Sequence, residues 1–332
     1  MKKILLYILC LVLLCFLIPI LFTQKNDLKE IVANNEENKQ NQEIKHDYGK
    51  YSTVKLLHSD TKEIEEIELD NYLLGVVSSE MPASFEKEAL KAQAVVARTY
   101  TIYKITEGNK HGDADICDDS KCCQAWISKE DRLNKWNETE RDSNWLKIEE
   151  AVNTTKGKII TYDGKAINAF FHSNSGGITD TAIAVWGGTN YPYLQAVQTS
   201  GEDSYKQYSS EVEITKDEFI SKLKEYHSDF IIDFNDANSI KILDYTDGER
   251  IKTIKIGNLE LAGTEVRTIF GLKSAKFQIN IEGENVKFNV TGYGHGVGMS
   301  QTGADSMAKQ GSNYEEIIKH YYTGVEIIDL NG

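Results

Sequence analysis

Positive charge is in short supply. The 332-residue chain carries 37 lysines and arginines against 51 aspartates and glutamates, a formal net charge of −14. Setting aside Lys2 and Lys3 widens the deficit. A nucleic acid or an anionic lipid surface is a poor partner for such a chain, whereas a neutral carbohydrate meets no obstacle. Proline is nearly absent, three residues in all, so Pro82, at the head of a long helical pattern, stands out. No internal repeat is present. Of five cysteines, Cys10 and Cys15 lie in an apolar N-terminal run and read as small apolar filler. Cys117, Cys122 and Cys123 remain, an odd set that cannot be paired off in disulfides within one chain.

Long apolar runs are missing except at the start. Ile4 to Phe22 carries no charge and, at about 1.5 Å per residue, comes close to spanning a ~30 Å hydrocarbon layer. Residues 1–3 are then a cytoplasmic N-terminus, and Lys2 and Lys3 place the rest outside the cytoplasm. A cleaved signal peptide is the rival reading, but the run ends Leu21-Phe22-Thr23-Gln24 without an Ala-x-Ala site. Residues 23–50 are polar and low in aromatics and read as a tether.

From Tyr51 to the end, 51–332, the pattern is that of an α+β domain of mixed helices and antiparallel hairpins, with a smaller inserted subdomain near 200–285. "YSTVKLLHS" and "EIEEIELDNYLLGVV" read as strands. After Pro82 a helix is expected, capped by Ser84, with Ala89, Ala92, Val96, Tyr100 and Tyr103 on a buried face. A second helix is expected over 145–155. "KIITY-DG-KAINAFF" is a hairpin on its Asp163-Gly164 turn, and "RIKTIKIGNLELAG" and "KFQINIEGENVKFNVTG" read likewise, separated by a short helix in "GTEVRTIFGL". Thr215 with Glu218 suggests a capping box. Helices are expected over 298–309 and 313–322.

Four stretches carry candidate chemistry. Glu80 sits at what reads as a strand-to-helix corner among Val76, Val77, Met81 and Phe85. Desolvation there would keep it protonated near neutral pH, able to donate to a glycosidic oxygen. The alternative is a surface or capping glutamate. "FFHSNSGGITD", Phe170 to Asp180, is a polar loop after an apolar strand, where binding residues usually sit. "GYGHGVGMSQTGA", Gly292 to Ala304, presents His295 among five glycines, either as a cleft wall or as a packed turn. A Ser173–His295 nucleophile and base is conceivable but lacks a G-x-S-x-G elbow. Finally, His111, Cys117, Cys122 and Cys123 bring imidazole and thiolates together in one short loop. These are zinc-type ligands, with Asp113 and Asp115 as weaker candidates. A disulfide from Cys117 is the rival.

"SSEMPASFEKEALKAQAVVARTY", "FFHSNSGGIT" and "GYGHGVGMSQTGA" together closely resemble the stage II sporulation protein D family of spore-forming bacteria, over most of residues 78–304. The resemblance implies a membrane-anchored lytic transglycosylase. Such an enzyme cleaves the bond from N-acetylmuramic acid to N-acetylglucosamine in peptide-stripped peptidoglycan strands and leaves 1,6-anhydro ends during forespore engulfment. It also implies a partner peptidoglycan amidase and a small membrane protein, with the domain outside the mother-cell membrane facing the septum. A glycan-binding activator of the amidase, cutting little itself, is the alternative. Carried over by motif, the acid/base falls on Glu80 and the substrate cleft on Arg98, Ser173, Ser175, Tyr293, His295 and Gln301. Clostridial members resemble this chain in the His/Cys loop, implying a structural zinc on His111, Cys117, Cys122 and Cys123. Where those members often have histidine this chain has Cys122, which leaves the fourth ligand open between Cys122, water and a neighbour. At position 293 Tyr replaces the family's frequent Trp.

Overall fold

The computed structural model describes residues 48–331 apart from Asn109. The anchor and all but the last residues of the tether lie outside the described residues. No helix among the described residues is long and apolar enough to cross a membrane. In chain order the elements are β1 (Thr53–Leu57), β2 (Ile64–Glu68), α1 (Leu69–Glu80), α2 (Lys87–Glu107), β3 (Ile116–Cys117), α3 (Lys129–Lys135) and α4 (Glu138–Thr154). Then come β4 (Lys158–Tyr162), β5 (Lys165–Ala166), β6 (Phe171–His172), α5 (Ala182–Trp186), β7 (Ser209–Thr215), α6 (Lys216–Tyr226), β8 (Ile240–Tyr245), β9 (Ile251–Ile256) and β10 (Leu259–Ala262). The chain continues with α7 (Gly263–Phe270), β11 (Phe277–Glu282), β12 (Asn285–Thr291), β13 (Met299–Ser300), α8 (Gln301–Lys309), α9 (Tyr314–Tyr321) and β14 (Glu326–Asp329). The strands form small sheets ordered β2-β1-β3, β14-β4-β5, β13-β6, β11-β12-β7 and β10-β9-β8. The α+β expectation holds, with antiparallel pairing throughout except at two short parallel pairs, β1/β3 and β6/β13.

The expected second strand ends early. "DNYLLGVV" is helical, because Leu69, Tyr72, Leu73, Val76 and Val77 recur at three- and four-residue spacing and all are buried. Glu80 therefore closes a helix, at a helix-to-helix corner. Helix α2 begins later than expected. Its N-cap is Glu86, with no side-chain cap, and it is the carboxylate of Asp305 that accepts the Glu86 N–H at 2.6 Å. α4 starts well before Trp145, since the charged run "ETERDSN" has no apolar period to mark it. Other expectations stand. Asp163 and Gly164 both take positive φ at the β4–β5 turn, and the Thr215 side chain caps α6 by accepting the Glu218 N–H, the first half of the expected capping box. The full capping box is found instead on α9, between Asn313 and Glu316.

α2 is the axis of the first core, packing against α1, α4, α8, α9 and β4. Ala89, Ala92, Ala94, Val96 and Ala97 on it are fully buried, and small side chains allow that close approach. Residues between Phe219 and Val290 build a separate hydrophobic cluster around Phe219, Phe270 and Phe288, with the first two rings stacked at 4.9 Å.

Candidate functional site

Glu80 lines a cleft of about 660 Å³ whose wall also includes Arg132, Trp136, Ser173, Gln301 and Thr302. The carboxylate is held at its ends. The Ala125 N–H donates to Oε1 at 2.6 Å, and Gln301 Nε2 reaches Oε2 at a long 3.5 Å. Burial pushes its pKa up, and those two donors oppose the shift. The acid form is therefore favoured beyond the usual glutamate range.

The N–H that meets Glu80 comes from the loop after the cysteines. Gln124 is fully enclosed and donates to the Tyr72 hydroxyl and to Thr101 Oγ1, both at 2.9 Å. The loop lies tight on α1 because Gly75 faces it: a Cβ there would come within 2.2 Å of Trp126 Nε1 and 2.7 Å of the Ile127 carbonyl oxygen. A glycine inside a helix costs roughly 0.5–1 kcal/mol relative to alanine, and here close approach explains its presence.

His111, Cys117, Cys122 and Cys123 come together, with one ligand atom from each lying within 4.8 Å of the others. His111 Nε2 is 3.3 Å from Cys123 Sγ and 3.7 Å from Cys122 Sγ. The three thiols are unbridged. Burial raises the pKa of Cys117, and lifts that of Cys123 to about 12. Asp115 is not in this group, and its carboxylate accepts the Lys55 N–H at 2.8 Å.

The Phe170–Asp180 and Gly292–Ala304 stretches meet. β6 pairs with β13, and Asn174 bridges Tyr293. Gly298, at φ 70°, is required there, since a Cβ would lie 2.0 Å from the Phe170 carbonyl oxygen. A residue that no motif flagged joins the two stretches. Glu202 is 1% exposed and accepts from Ser175 N (2.9 Å), Gly177 N (2.9 Å), Thr302 Oγ1 (3.0 Å) and the hydroxyls of Ser175 and Ser300.

The expected substrate residues thus separate. Ser173 and Gln301 share the cleft with Glu80. Ser175 does not; it is fully enclosed and bonded to Glu202. Arg98 does not either. It is fully buried in α2 and donates to the carbonyls of Val152, Thr155 and Lys158 at 3.2, 2.8 and 3.3 Å. A cation on the last carbonyls of α4 fastens that helix end. His295 lines a different, smaller cavity with Arg250 and Arg267, packs against His172 and Trp186, and is pushed down to a pKa of about 3 by burial and those guanidiniums. No Ser173–His295 pair forms, because the two face different cavities. Tyr293 is exposed under Lys273 Nζ, 5.0 Å from its ring. Arg132 and Trp136 were not anticipated, since α3 has no apolar period. The Ser128-x-x-Asp131 spacing, whose N-cap bond is present, was the signal that could have found the helix.

Comparison with known proteins agrees with the motifs. A family model described as "Stage II sporulation protein" matches residues 58–162. The chain is 35% identical to the stage II sporulation protein D of Bacillus subtilis over 84% of its own length and 80% of that protein's. It is 34% identical to that of Bacillus amyloliquefaciens, over 84% and 79%. It is 29% identical to a Bacillus subtilis protein named "Amidase enhancer", over 77% of this chain and 40% of that one.

Proposed function

The chain belongs to the stage II sporulation protein D family of sporulation proteins, and from that premise we propose that it is a lytic transglycosylase acting on peptide-free peptidoglycan strands, with Glu80 as its single acid and base. One observation carries the reading: a carboxylate whose pKa is raised by burial lines an open cleft while receiving only one short hydrogen bond.

The step balances without water. Protonated Glu80 gives its proton to the glycosidic oxygen as the bond from C1 of N-acetylmuramic acid breaks. The C6 hydroxyl of the same sugar attacks C1, and the Glu80 carboxylate takes the hydroxyl proton. The products are a 1,6-anhydro end and a free 4-hydroxyl, and Glu80 returns to its acid form. Gln301, across the cleft, steadies the carboxylate between the two transfers. Full-length wild type and Glu80→Gln, incubated with peptide-free strands and analysed by mass spectrometry, test this. Undiminished release of anhydro-muramyl ends from Glu80→Gln would overturn it.

The four-donor cluster fits zinc. One imidazole and three sulfurs match the soft, tetrahedral set of structural sites. His111, Cys117, Cys122 and Cys123 would hold the ion, leaving no open position, so its contribution would be to fix the loop. Bound metal would also invert the thiol titration, since coordinated thiols are deprotonated. Metal analysis of the purified chain beside a Cys117→Ser/Cys123→Ser variant tests it, and equal zinc in both sinks it.

A second reading, a glycan-binding activator of a partner amidase, is favoured by the relative named "Amidase enhancer". Wild type that stimulates an amidase while releasing no sugar product would support it over cleavage. Membrane anchoring through Ile4–Phe22, an engulfment role alongside that amidase and a small membrane protein, and a position facing the septum complete the proposal.

A further inference from the structure

The cleft that holds Glu80 also holds a cation without an acid. Arg132 stands on α3, and its guanidinium lies 4.7 Å from the centre of the Trp136 ring. Both side chains line the cleft. Arg132 Nε is buried and has no hydrogen-bond partner. No carboxylate among the described residues pairs with the guanidinium, although Glu140 lines the same cleft. Burial alone acts on its pKa, downward, with no acid to raise it. In a chain with 51 acidic residues against 37 basic ones, a half-buried arginine left unpaired beside a reactive carboxylate is out of keeping with its surroundings. Leaving a charge partly desolvated is costly, and a ligand that supplies the missing acceptors recovers that cost.

The side chain's chemistry specifies the ligand. A guanidinium braced on an indole face is a rigid planar fork, suited to two parallel bonds to a carboxylate. Trp136, half-buried beside it in the cleft wall, suits the apolar face of a sugar ring. A muramoyl sugar bears a lactyl group on O3. That group ends in a carboxylate when no peptide is attached and in a neutral amide when one is. We propose that Arg132 and Trp136 form a carboxylate-binding subsite of the Glu80 cleft, which takes the free lactyl carboxylate of a muramoyl residue. The subsite rests on the glycan reading above. It places the means of telling bare from peptide-bearing strands in α3, outside the motifs that mark the family.

The test uses the full-length chain, wild type beside Arg132→Gln and Arg132→Lys, all checked for unchanged melting temperature. Two substrates are compared: peptide-free glycan strands, and the same strands with the lactyl carboxylates converted to methyl amides. For wild type the acid strand is expected to show a KM about tenfold below the amide strand, the scale of one good charge-assisted pair. Arg132→Gln should raise KM on the acid strand by about that factor, with kcat nearly unchanged, and leave the amide strand alone. Arg132→Lys should restore part of the difference, since an ammonium keeps the charge but loses the fork. Equal losses on both strands, or no change on either, overturn the subsite. If wild type releases no anhydro product at all, the cleavage reading fails by itself. Equilibrium binding of the two strands to the same three proteins then decides the subsite: discrimination that disappears in Arg132→Gln supports it, and its absence in wild type overturns it.

Discussion

Two glutamates, one enclosed and one half-buried at a cleft, are treated in opposite ways. Glu202 accepts five hydrogen bonds, two from backbone N–H groups and three from hydroxyls. Glu80 has one short N–H bond and one long side-chain contact. The first is enclosed and knits two distant stretches of chain into one wall. The second faces a cleft with its acid form favoured. Satisfying a buried carboxylate makes it architecture; leaving it underpaired beside a cavity keeps it available to move protons.

The largest expected separation is kinetic. Glu80→Gln preserves shape and the Ala125 bond but cannot cycle a proton, so cleavage should fall by about 10²–10⁴-fold, the usual worth of a positioned acid and base. Circular dichroism and melting should show an intact fold. A Glu80→Gln protein that fails to fold would erase the distinction between the two residues.

Glu202→Ala should do the reverse. It removes the acceptor of five donors, of which the Thr302 hydroxyl can turn to the Ser173 carbonyl; each donor left unpaired costs on the order of 1–3 kcal/mol when buried, partly relieved by relaxation. A net loss of about 3–5 kcal/mol follows, or a drop in melting temperature of roughly 10 °C for a domain of this size. Activity per folded molecule should fall far less than in Glu80→Gln, through the shifted Ser173 and Thr302 positions. Full melting stability in Glu202→Ala would show that this network is not what holds the two loops.

Gly75→Ala probes the support of Glu80 from behind. The added methyl must displace Trp126 or the Ile127 backbone, an overpacking cost of about 1–3 kcal/mol that the better helix propensity of alanine offsets only in part. The Ala125 N–H moves with the loop, so kcat should drop with little change in KM. If kcat and stability are both unaltered, the loop does not position the carboxylate.

The same contrast explains what could be read from the chain. Glu80, Ser173 and Gln301 fall in dense local motifs, and the structure gathers them in one cleft. Arg98 and Ser175 sit in equally dense motifs, but what their side chains meet, the carbonyls of Val152, Thr155 and Lys158 and the carboxylate of Glu202, is set by partners 54 to 60 and 27 residues away. A motif reports that a residue matters locally and is silent on what lies opposite. Glu202 itself had no signal, because it stands on a short turn after Gly201 with no periodic neighbours. The Ala125 N–H was invisible for a plainer reason, since every residue but proline offers one. Hairpins were legible through Asp163-Gly164 and alternation. The helical "DNYLLGVV" was lost to a strand because short apolar runs fit both periods.

The smallest predicted effect is on stability, and its sign is the useful part. Burial raises the Glu80 pKa in the folded state, so the folded protein holds that proton more tightly than the unfolded chain does. The resulting stability is fully present below the unfolded-state pKa, near pH 4, and is lost as pH rises through the folded-state value. Glutamine has no proton to lose. Glu80→Gln should therefore melt higher than wild type at pH 8, and the two curves should converge as pH falls toward 4. Activity of wild type should decline over the same rise in pH, as the acid form disappears. Glu202→Gln should instead lose stability, because replacing one acceptor oxygen with an NH₂ group sets a donor against donors. If Glu80→Gln instead loses stability at pH 8, the carboxylate is paired better than its two visible contacts allow, and the contrast with Glu202 collapses.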